Sequence, residues 1–566
     1  MASHDILQVF WRDDCPIQAL EAAVDNAARH SFNLARVIEG ALPEGDIGNE
    51  PESQVLGGHM LRQWIREAND LNEERKNVEV MVGVQGQTGA GKSSLLNVLL
   101  GYRNILPPSN MEAATATVCK VAYNYNDDPQ QKFRAEVVFH TRHEITKELE
   151  TFIQRIKERN KDLNNEDIDD DADKEEERER RIELANEDIR EGARKIKAVW
   201  GYTQVQLEAL VDTLSPAFFL NQEHPALATI SGGKKCIRSA HERSFAKEIK
   251  PYLDSTTVKI PRATSTADQT PDEVEMAMWP LVKQVNLYLK SDNLKGGIVL
   301  VDLPGLSDVV ESREAVAREF YSQLAVSIVV THSVRGADEQ TGVNLMKRAQ
   351  ELDMLMNNQS YCVALSKMDD ICWETTARDL ERHDQIDQIK KLKAKSDYGT
   401  LSDPMLRYLV GNEVFTAVKA RNIRLIQRLT QDAKERHDGL TLVNSKDQGQ
   451  STAVFRPPEV FPVSARAYWE WCDRNPMEGF PNDLYTGIPA LVHWLHEATT
   501  PQRRMHAKVL LSKYVSLFHR ISTWSENECN IQKVPFSKEE VKTMLDNNFK
   551  AILGVSFLPF LINRNV

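Results

Sequence analysis

Val78-Glu79-Val80-Met81-Val82-Gly83-Val84-Gln85-Gly86-Gln87-Thr88-Gly89-Ala90-Gly91-Lys92-Ser93-Ser94-Leu95-Leu96-Asn97-Val98-Leu99-Leu100 is the stretch whose reading decides the fold. Val78, Val80, Val82 and Val84 alternate with other residues as a strand does, and Ser93 to Leu100 returns to helical spacing. Gly86, Gly89 and Gly91 lie between them, where residues without a Cβ let backbone N–H groups turn inward around an anion. The helix that follows offers its N-terminus to negative charge. A strand, a glycine-rich loop and a helix in that order make a phosphate cradle of Gly86, Gln87, Thr88, Gly89, Ala90, Gly91, Lys92 and Ser93, with Ser94 next on the helix. Lys92 is placed to reach the β- and γ-phosphates, and the Ser93 hydroxyl to ligate Mg2+.

Working outward, Asp302-Leu303-Pro304-Gly305 follows the apolar run Ile298-Val299-Leu300-Val301. An Asp at a strand end can hold Mg2+ through water, and Gly305 can donate its N–H to a γ-phosphate. Leu303 is not acidic, unlike the Asp-Glu pair common in ATPases. Ser366-Lys367-Met368-Asp369 follows the strand candidate Tyr361 to Leu365. The Asp369 carboxylate can accept both N–H donors of the guanine edge while the Lys367 stem covers the ring; adenine presents no such donor pair. Ser366 stands where Asn or Thr is usual and offers fewer hydrogen bonds. Val463-Ser464-Ala465-Arg466 ends another strand candidate, and the Ala465 N–H can meet the guanine carbonyl. In this order the motifs favour guanine over adenine, with GTP and Mg2+ as the ligands. A switch threonine for the metal and γ-phosphate is expected in Glu112-Ala113-Ala114-Thr115-Ala116-Thr117; Thr115 is preferred and Thr117 is the alternative. Leu306 follows Gly305 and cannot orient an attacking water.

Further strand candidates are Val118 to Tyr123, Phe133 to Phe139, Val326 to Thr331 and Val460 to Val463, with helical stretches between most of them. Strands alternating with helices predict an α/β fold, a mostly parallel doubly wound sheet, here with large helical insertions. In the first insertion, about 141–200, Ile145, Leu149, Phe152, Ile156 and Leu163 share one register, and Ile182, Ile189 and Ile196 repeat every seven residues. Two helices joined by Asn164 to Asp173 are expected to pair as a coiled-coil hairpin; one long solvated helix is the alternative. Asp169, Asp171 and Asp173 invite a calcium reading that Lys174 and Arg180 defeat, standing where that loop needs Gly and Glu. The second insertion, about 370–458, is polar and helical in pattern.

Residues 1–76 read as helical, with Ile17, Leu20, Val24 and Ala27 in one stripe, Leu61, Trp64, Ala68 and Leu71 in another, and a linker from Ala41 to Gly58. A further helix is expected to begin beyond Pro501, with Leu510, Tyr514, Leu517, Ile521 and Trp524 as its stripe, in a C-terminal helical region 501–566. The nucleotide domain is therefore expected over 77–500.

A chain of 566 residues is too long for one core, which predicts two or three domains. Its net charge of −13 argues against a protein that coats nucleic acid over its whole surface. The seven cysteines show no CxxC spacing, so neither a zinc site nor a disulfide framework is expected. No secretory h-region follows Met1, and the longest apolar run, Ala551 to Ile562, is too short to span a bilayer. A cytoplasmic or nuclear location is expected.

The motif order, the wide spacing and the flanking helical stripes resemble the dynamin superfamily of large GTPases. Met278-Trp279-Pro280-Leu281-Val282-Lys283 leading into Gly297 through Gly305 is similar to the SLIP-GC-type nuclear GTPases and their fungal relatives. The resemblance covers about residues 60–500. It implies a P-loop GTPase domain, a bundle of flanking helices, and a nucleotide-dependent homodimer or oligomer; it leaves open any membrane or nucleic-acid target. Thr88-Gly89 replaces the Gln-Ser of dynamin proper, so the cation-assisted mechanism of dynamin does not carry over residue by residue. The chain ends at Val566, before a long stalk could be completed, so a short member, a truncated gene product or a fragment is expected. Two readings follow: a switching enzyme that hydrolyses GTP, with Lys92, Thr115 and Gly305 at the reacting phosphate, or a GTP-binding interaction module with negligible hydrolysis.

Overall fold

The computed structural model describes residues 15–41, 56–87, 89–107, 117–164, 172–220, 227, 233–261, 273–303, 323–333, 343–344, 346–347, 349–350, 360–370, 413–447, 455 and 457–526. The chain divides into two compact units, Met1–Val80 with Glu497–Val566, and Met81–His496.

The first unit holds α1 (Ile17–Ala41) and α2 (Leu56–Lys76), together with the later part of the helix Ile488–Glu526. Leu20, Val24, Ala27, Leu34 and Ile38 of α1, Leu61, Trp64, Ala68 and Leu71 of α2, and Leu510, Tyr514, Leu517 and Ile521 form one buried cluster. The members of each set lie three, four or seven residues apart, so each helix turns one face inward. Trp64 and Trp524 meet edge to face at 5.6 Å. The Arg503 guanidinium, 4% exposed, makes two hydrogen bonds to the Glu21 carboxylate at 2.8 and 2.7 Å. The last helix begins earlier than the sequence reading has it: Ile488–Glu526 runs through Pro501. Proline removes only its own N–H and disturbs one turn, and buried residues on both sides, Leu491 and Leu495 before it and Ala507 and Leu510 after it, hold the flanks in helix.

Among the described residues the second unit is a nine-stranded sheet with helices. Its strands are β1 (Val80–Gly86), β2 (Val118–Tyr123), β3 (Phe133–Phe139), β4 (Lys234–Ser239), then, past a separate two-stranded ribbon of β5 (Thr257–Pro261) and β6 (Glu273–Ala277), β7 (Val282–Leu289), β8 (Ile298–Asp302), β9 (Leu324–His332), β10 (Ser360–Ser366) and β11 (Glu459–Pro462). The order across the sheet is β11-β10-β9-β1-β8-β2-β7-β3-β4. β11, β10, β9 and β1 pair in parallel, as do β2 and β7, whereas β8 with β2, β7 with β3 and β3 with β4 are antiparallel. Every residue of β1 and β8 is buried, as expected of strands covered on both faces. β3 instead alternates buried with half-buried, so the antiparallel side packs one face and leaves the other wetter. The strand β7 goes unrecognised in the sequence reading although Val285, Leu287 and Leu289 are wholly buried at two-residue spacing. β4 is missed because five of its six residues are not buried and carry no apolar signal.

Around the sheet lie α3 (Lys92–Leu100), α4 (Arg142–Asn164), α5 (Ala172–Trp200), α6 (Glu242–Leu253), α7 (Glu413–Asp447) and α8 (Ala465–Cys472). α4 and α5 run antiparallel: Glu148 pairs with Lys195, Arg155 with Asp188 at 3.4 Å, Arg159 with Asn186 at 3.1 Å, and Arg178 with the Asp162 carbonyl at 3.0 Å. Ile145, Leu149, Phe152 and Ile156 are buried, as are Ile189 and Ile196. Leu163 departs from its expected register, being 53% exposed, because it lies in the last turn of α4, beyond the reach of the apolar seam. The turn at 165–171, most of the linker 42–55, residues 371–412 of the second insertion and the apolar run at 551–562 lie outside the described residues. No helix among the described residues is long and apolar enough to cross a membrane.

Candidate functional site

The phosphate cradle stands at the end of the central strand. Gly86, the last residue of β1, pairs with Val330 of β9, and a Cβ there would come within 2.2 Å of the Val330 carbonyl oxygen. The sheet itself therefore excludes any side chain at Gly86. Beyond it the Ala90 N–H donates to the Gln87 carbonyl at 3.0 Å, and Gly91 takes φ +92, a left-handed conformation that residues with a Cβ rarely adopt. Gly91 is also the N-cap of α3 and places no side-chain oxygen on its first N–H groups, which leaves them to an anion. Lys92 and Ser93 are buried, and Ser94 is exposed. Lys92 Nζ lies back across the loop and donates to the Gly86 carbonyl at 2.7 Å. A phosphate would replace that neutral acceptor with a charged one, a stronger bond.

Asp302 ends β8, is only 2% exposed, and its Oδ1 has no hydrogen-bond partner among the described residues. Burial pushes its carboxyl up to about 6, against the opposing pull of the Lys92 charge. Its antiparallel partner in β2 is Cys119, whose buried thiol is itself pushed up, first by burial and then by the Asp302 charge. Thr117 stands immediately before β2, two residues from Cys119. It is 3% exposed, and its Oγ1 also lacks a partner among the described residues. Thr88, Thr115, Gly305 and Leu306 lie outside the described residues. The segment that leads toward Thr115 leaves α3 through a reciprocal pair, Asn97 Nδ2 to the Leu106 carbonyl at 2.8 Å and the Leu106 N–H to Asn97 Oδ1 at 2.9 Å.

The base side is assembled from β10, β11 and the loops after them. Ser366 Oγ donates to the Ala90 carbonyl of the cradle and lies 3.2 Å from the Thr331 carbonyl. Ser366 thus braces the phosphate loop, which is more than its short side chain promised in the sequence. Lys367 is exposed with φ +56, and the Met368 N–H donates to the Val463 carbonyl at 3.3 Å. Asp369 Oδ1 accepts from Ser464 Oγ at 2.6 Å, and Ser464 Oγ in turn accepts from the Ala467 N–H at 3.0 Å as the N-cap of α8. The Ala465 position opens that helix. The structure therefore brings Gly86, Gln87, Gly89 to Ser93, Asp302, Ser366, Asp369, Ser464 and Ala465 to the same end of the sheet, at the C-terminal edge of its parallel strands, where open α/β sheets place their ligands.

Two supports escape a sequence reading. Ser333 Oγ donates to the Lys367 carbonyl at 3.1 Å, and Arg421 of α7 donates to the Met368 carbonyl at 2.8 Å. Neither belongs to a motif; the only trace of Arg421 is its place between the apolar Val418 and Leu425.

Comparison with known proteins fits this geometry. The profile of the dynamin family matches residues 82–363, from the middle of β1 to the middle of β10. The chain belongs to the dynamin superfamily. Within that superfamily it is 22% identical over 293 residues to the human nuclear GTPase SLIP-GC, 51% of this chain and 32% of the relative. The mouse protein of the same name is 24% identical over 296 residues, with the same shares. The matched region thus spans about a third of the length of these relatives. Two solved structures of an oligomerised bacterial dynamin pair, described as a mechanism for the long-range sensing and tethering of membranes, align over 90% of this chain and 57% of theirs, at 13% and 14% identity and TM-scores of 0.37 and 0.38. This dynamin-family chain carries a large GTPase domain with a guanine-nucleotide site.

Proposed function

We propose that the chain binds GTP with Mg2+ and hydrolyses it to GDP and phosphate, with turnover raised by self-association. The observation that carries the reading is the pair of buried oxygens, Asp302 Oδ1 and Thr117 Oγ1, without a hydrogen-bond partner among the described residues, in the unit that holds buried Lys92 and Ser93. Hydroxyl and carboxylate oxygens are the donor set of a small hard dication, so these residues fit Mg2+. Ser93 and either Thr115 or Thr117 would hold it directly and Asp302 through water. When bound, Mg2+ neutralises charge on the β- and γ-phosphates.

The chain's own residues do the rest. Lys92 exchanges the Gly86 carbonyl for phosphate oxygens. The α3 N-terminus and backbone N–H groups of the loop hold the phosphates, and Gly305 senses the γ-phosphate. Asp302 must be ionised to serve, and with its carboxyl near 6 it is so above neutral pH. Asp369, fixed by Ser464, reads the guanine edge beside Lys367 and Ala465. Leu306 leaves the attacking water to another group, which association of a second molecule can supply. The nuclear setting named for the SLIP-GC relatives is part of this proposal; imaging of the tagged chain in cells checks it.

Phosphate release from the purified protein, followed over about a 100-fold concentration range that brackets micromolar transient interfaces, tests the reading. Activity per molecule should rise with concentration. Flat specific activity rejects self-activation. Tight GTP binding without phosphate release would make the chain an interaction module, and equal affinity for ATP and GTP would sink the guanine assignment.

A further inference from the structure

The helix α7 of the second insertion packs against the base side of the sheet. Val418 and Leu429 are buried and Leu425 is partly buried in one cluster with Leu365 and Met368 of the base-reading segment and Ala467 of α8. Val418, Arg421 and Leu425 are three and four residues apart, so Arg421 shares the inward face. Its Nη2 donates to the Met368 carbonyl at 2.8 Å and lies 3.7 Å from the Met368 sulfur, and its Nη1 is 3.4 Å from the Asp370 carbonyl. The two acceptors are the carbonyls on either side of Asp369. A single planar guanidinium thus spans the residue that faces the base, with its donors in a fixed fork. On the other flank Lys367 sits at φ +56, a conformation that a residue with a Cβ keeps only where its surroundings hold it.

We propose that Arg421 is a positioning residue for guanine recognition: by clamping the carbonyls of Met368 and Asp370 it aims the Asp369 carboxylate, and through it the second insertion sets how strongly the chain tells guanine from other bases. This rests on the reading that Asp369 meets the guanine edge. The electrostatics agree, since burial lowers the Arg421 pKa while Asp370 and Asp369 act to raise it, so the guanidinium is held among the charges of this loop.

Competition binding of GDP and inosine diphosphate to the full chain isolates the effect. Inosine lacks the exocyclic amine of guanine, so the ratio of the two affinities reports the second N–H···O bond to Asp369. The unmodified protein should prefer GDP by about tenfold, the worth of one hydrogen bond to a charged group. Arg421→Ala should reduce the preference to about twofold, and Arg421→Lys, with one donor able to reach a carbonyl, should fall between. An inactive fraction lowers the number of sites without changing the ratio; Arg421→Gln, of similar reach, provides a milder variant if Arg421→Ala does not fold. A full GDP preference retained in the variants, or an equal loss of both affinities, overturns the inference while leaving the guanine reading intact. Failure of the unmodified protein to prefer GDP over both inosine and adenosine diphosphate removes the guanine reading and this inference with it.

Discussion

The two halves of the proposed nucleotide site are held by different means. On the phosphate side the geometry is set by backbone: Gly86 is confined by the Val330 carbonyl, Gly91 by its φ, and α3 presents N–H groups without a side-chain cap. On the base side it is set by side chains from distant parts of the chain, with Ser464 on Asp369, Ser333 on Lys367 and Arg421 on Met368. A backbone-built site needs residues in sequence and leaves a compact motif. A side-chain-built one draws on residues far apart, and each support can be changed by one substitution without moving the sheet.

Breaking the phosphate half should cost most. Lys92→Ala removes the buried ammonium that lies over the loop, and GTP affinity should fall by roughly 100-fold, about 3 kcal/mol for a charge-assisted contact. Calorimetric titration measures it, and near-normal affinity would mean that the cradle is misread. On the base half Asp369→Asn should weaken GTP by about 30-fold, near 2 kcal/mol, and improve binding of xanthine nucleotide, whose edge replaces a donor with an oxygen. If affinities for both nucleotides stay as they were, Asp369 does not face the base.

The boundary between the halves is sharpened by pH. Asp302 has its carboxyl raised from 3.8 to about 6 in the fold, so the native state keeps a proton that the unfolded chain has lost. Stability from this group is present below about pH 4 and lost as pH rises through about 6. Nucleotide-free Asp302→Asn should therefore gain on the unmodified protein by about 1–2 kcal/mol between those limits, allowing for relaxation around the charge. Denaturant unfolding across that range checks it; parallel pH profiles for the two proteins would contradict it. The smallest effect belongs to Arg103, which leaves the end of α3, stacks on the Trp469 ring at 4.8 Å and pairs with Asp473 of the base side. Both charged groups are half-exposed, so Arg103→Ala should cost less than about 1 kcal/mol in thermal unfolding and leave GDP affinity within about twofold. A larger loss would show the halves to be more tightly coupled than their separate supports suggest.

The same contrast explains what the sequence could reveal. β1, the glycines and α3 are contiguous, and the strand endings before Asp302 and Ser366 are apolar runs, so the motif positions and most of the sheet were readable. The bracing roles of Ser366, Ser333 and Arg421 depend on which loops meet at the sheet edge, which no local pattern encodes. β7 alternates clearly, yet it follows a long interruption by α4, α5 and β4, and its neighbours β2 and β3 precede it by well over a hundred residues. Pro501 misled because its local rule is sound, and packing on both flanks outweighed it.

The antiparallel ladder between α4 and α5 has a consequence for how the insertion can change length. Because Glu148, Arg155, Arg159 and Asp162 meet partners in reverse order on α5, residues gained or lost on one arm alone would slip every rung below them and rotate the remaining helix by about 100° per residue. Equal changes on both arms beyond Asp162 and Arg178 leave the lower rungs untouched. The hairpin is thus an extensible spacer with a fixed foot, free to grow or shrink in matched steps at its far end while the sheet beneath it keeps the same contacts.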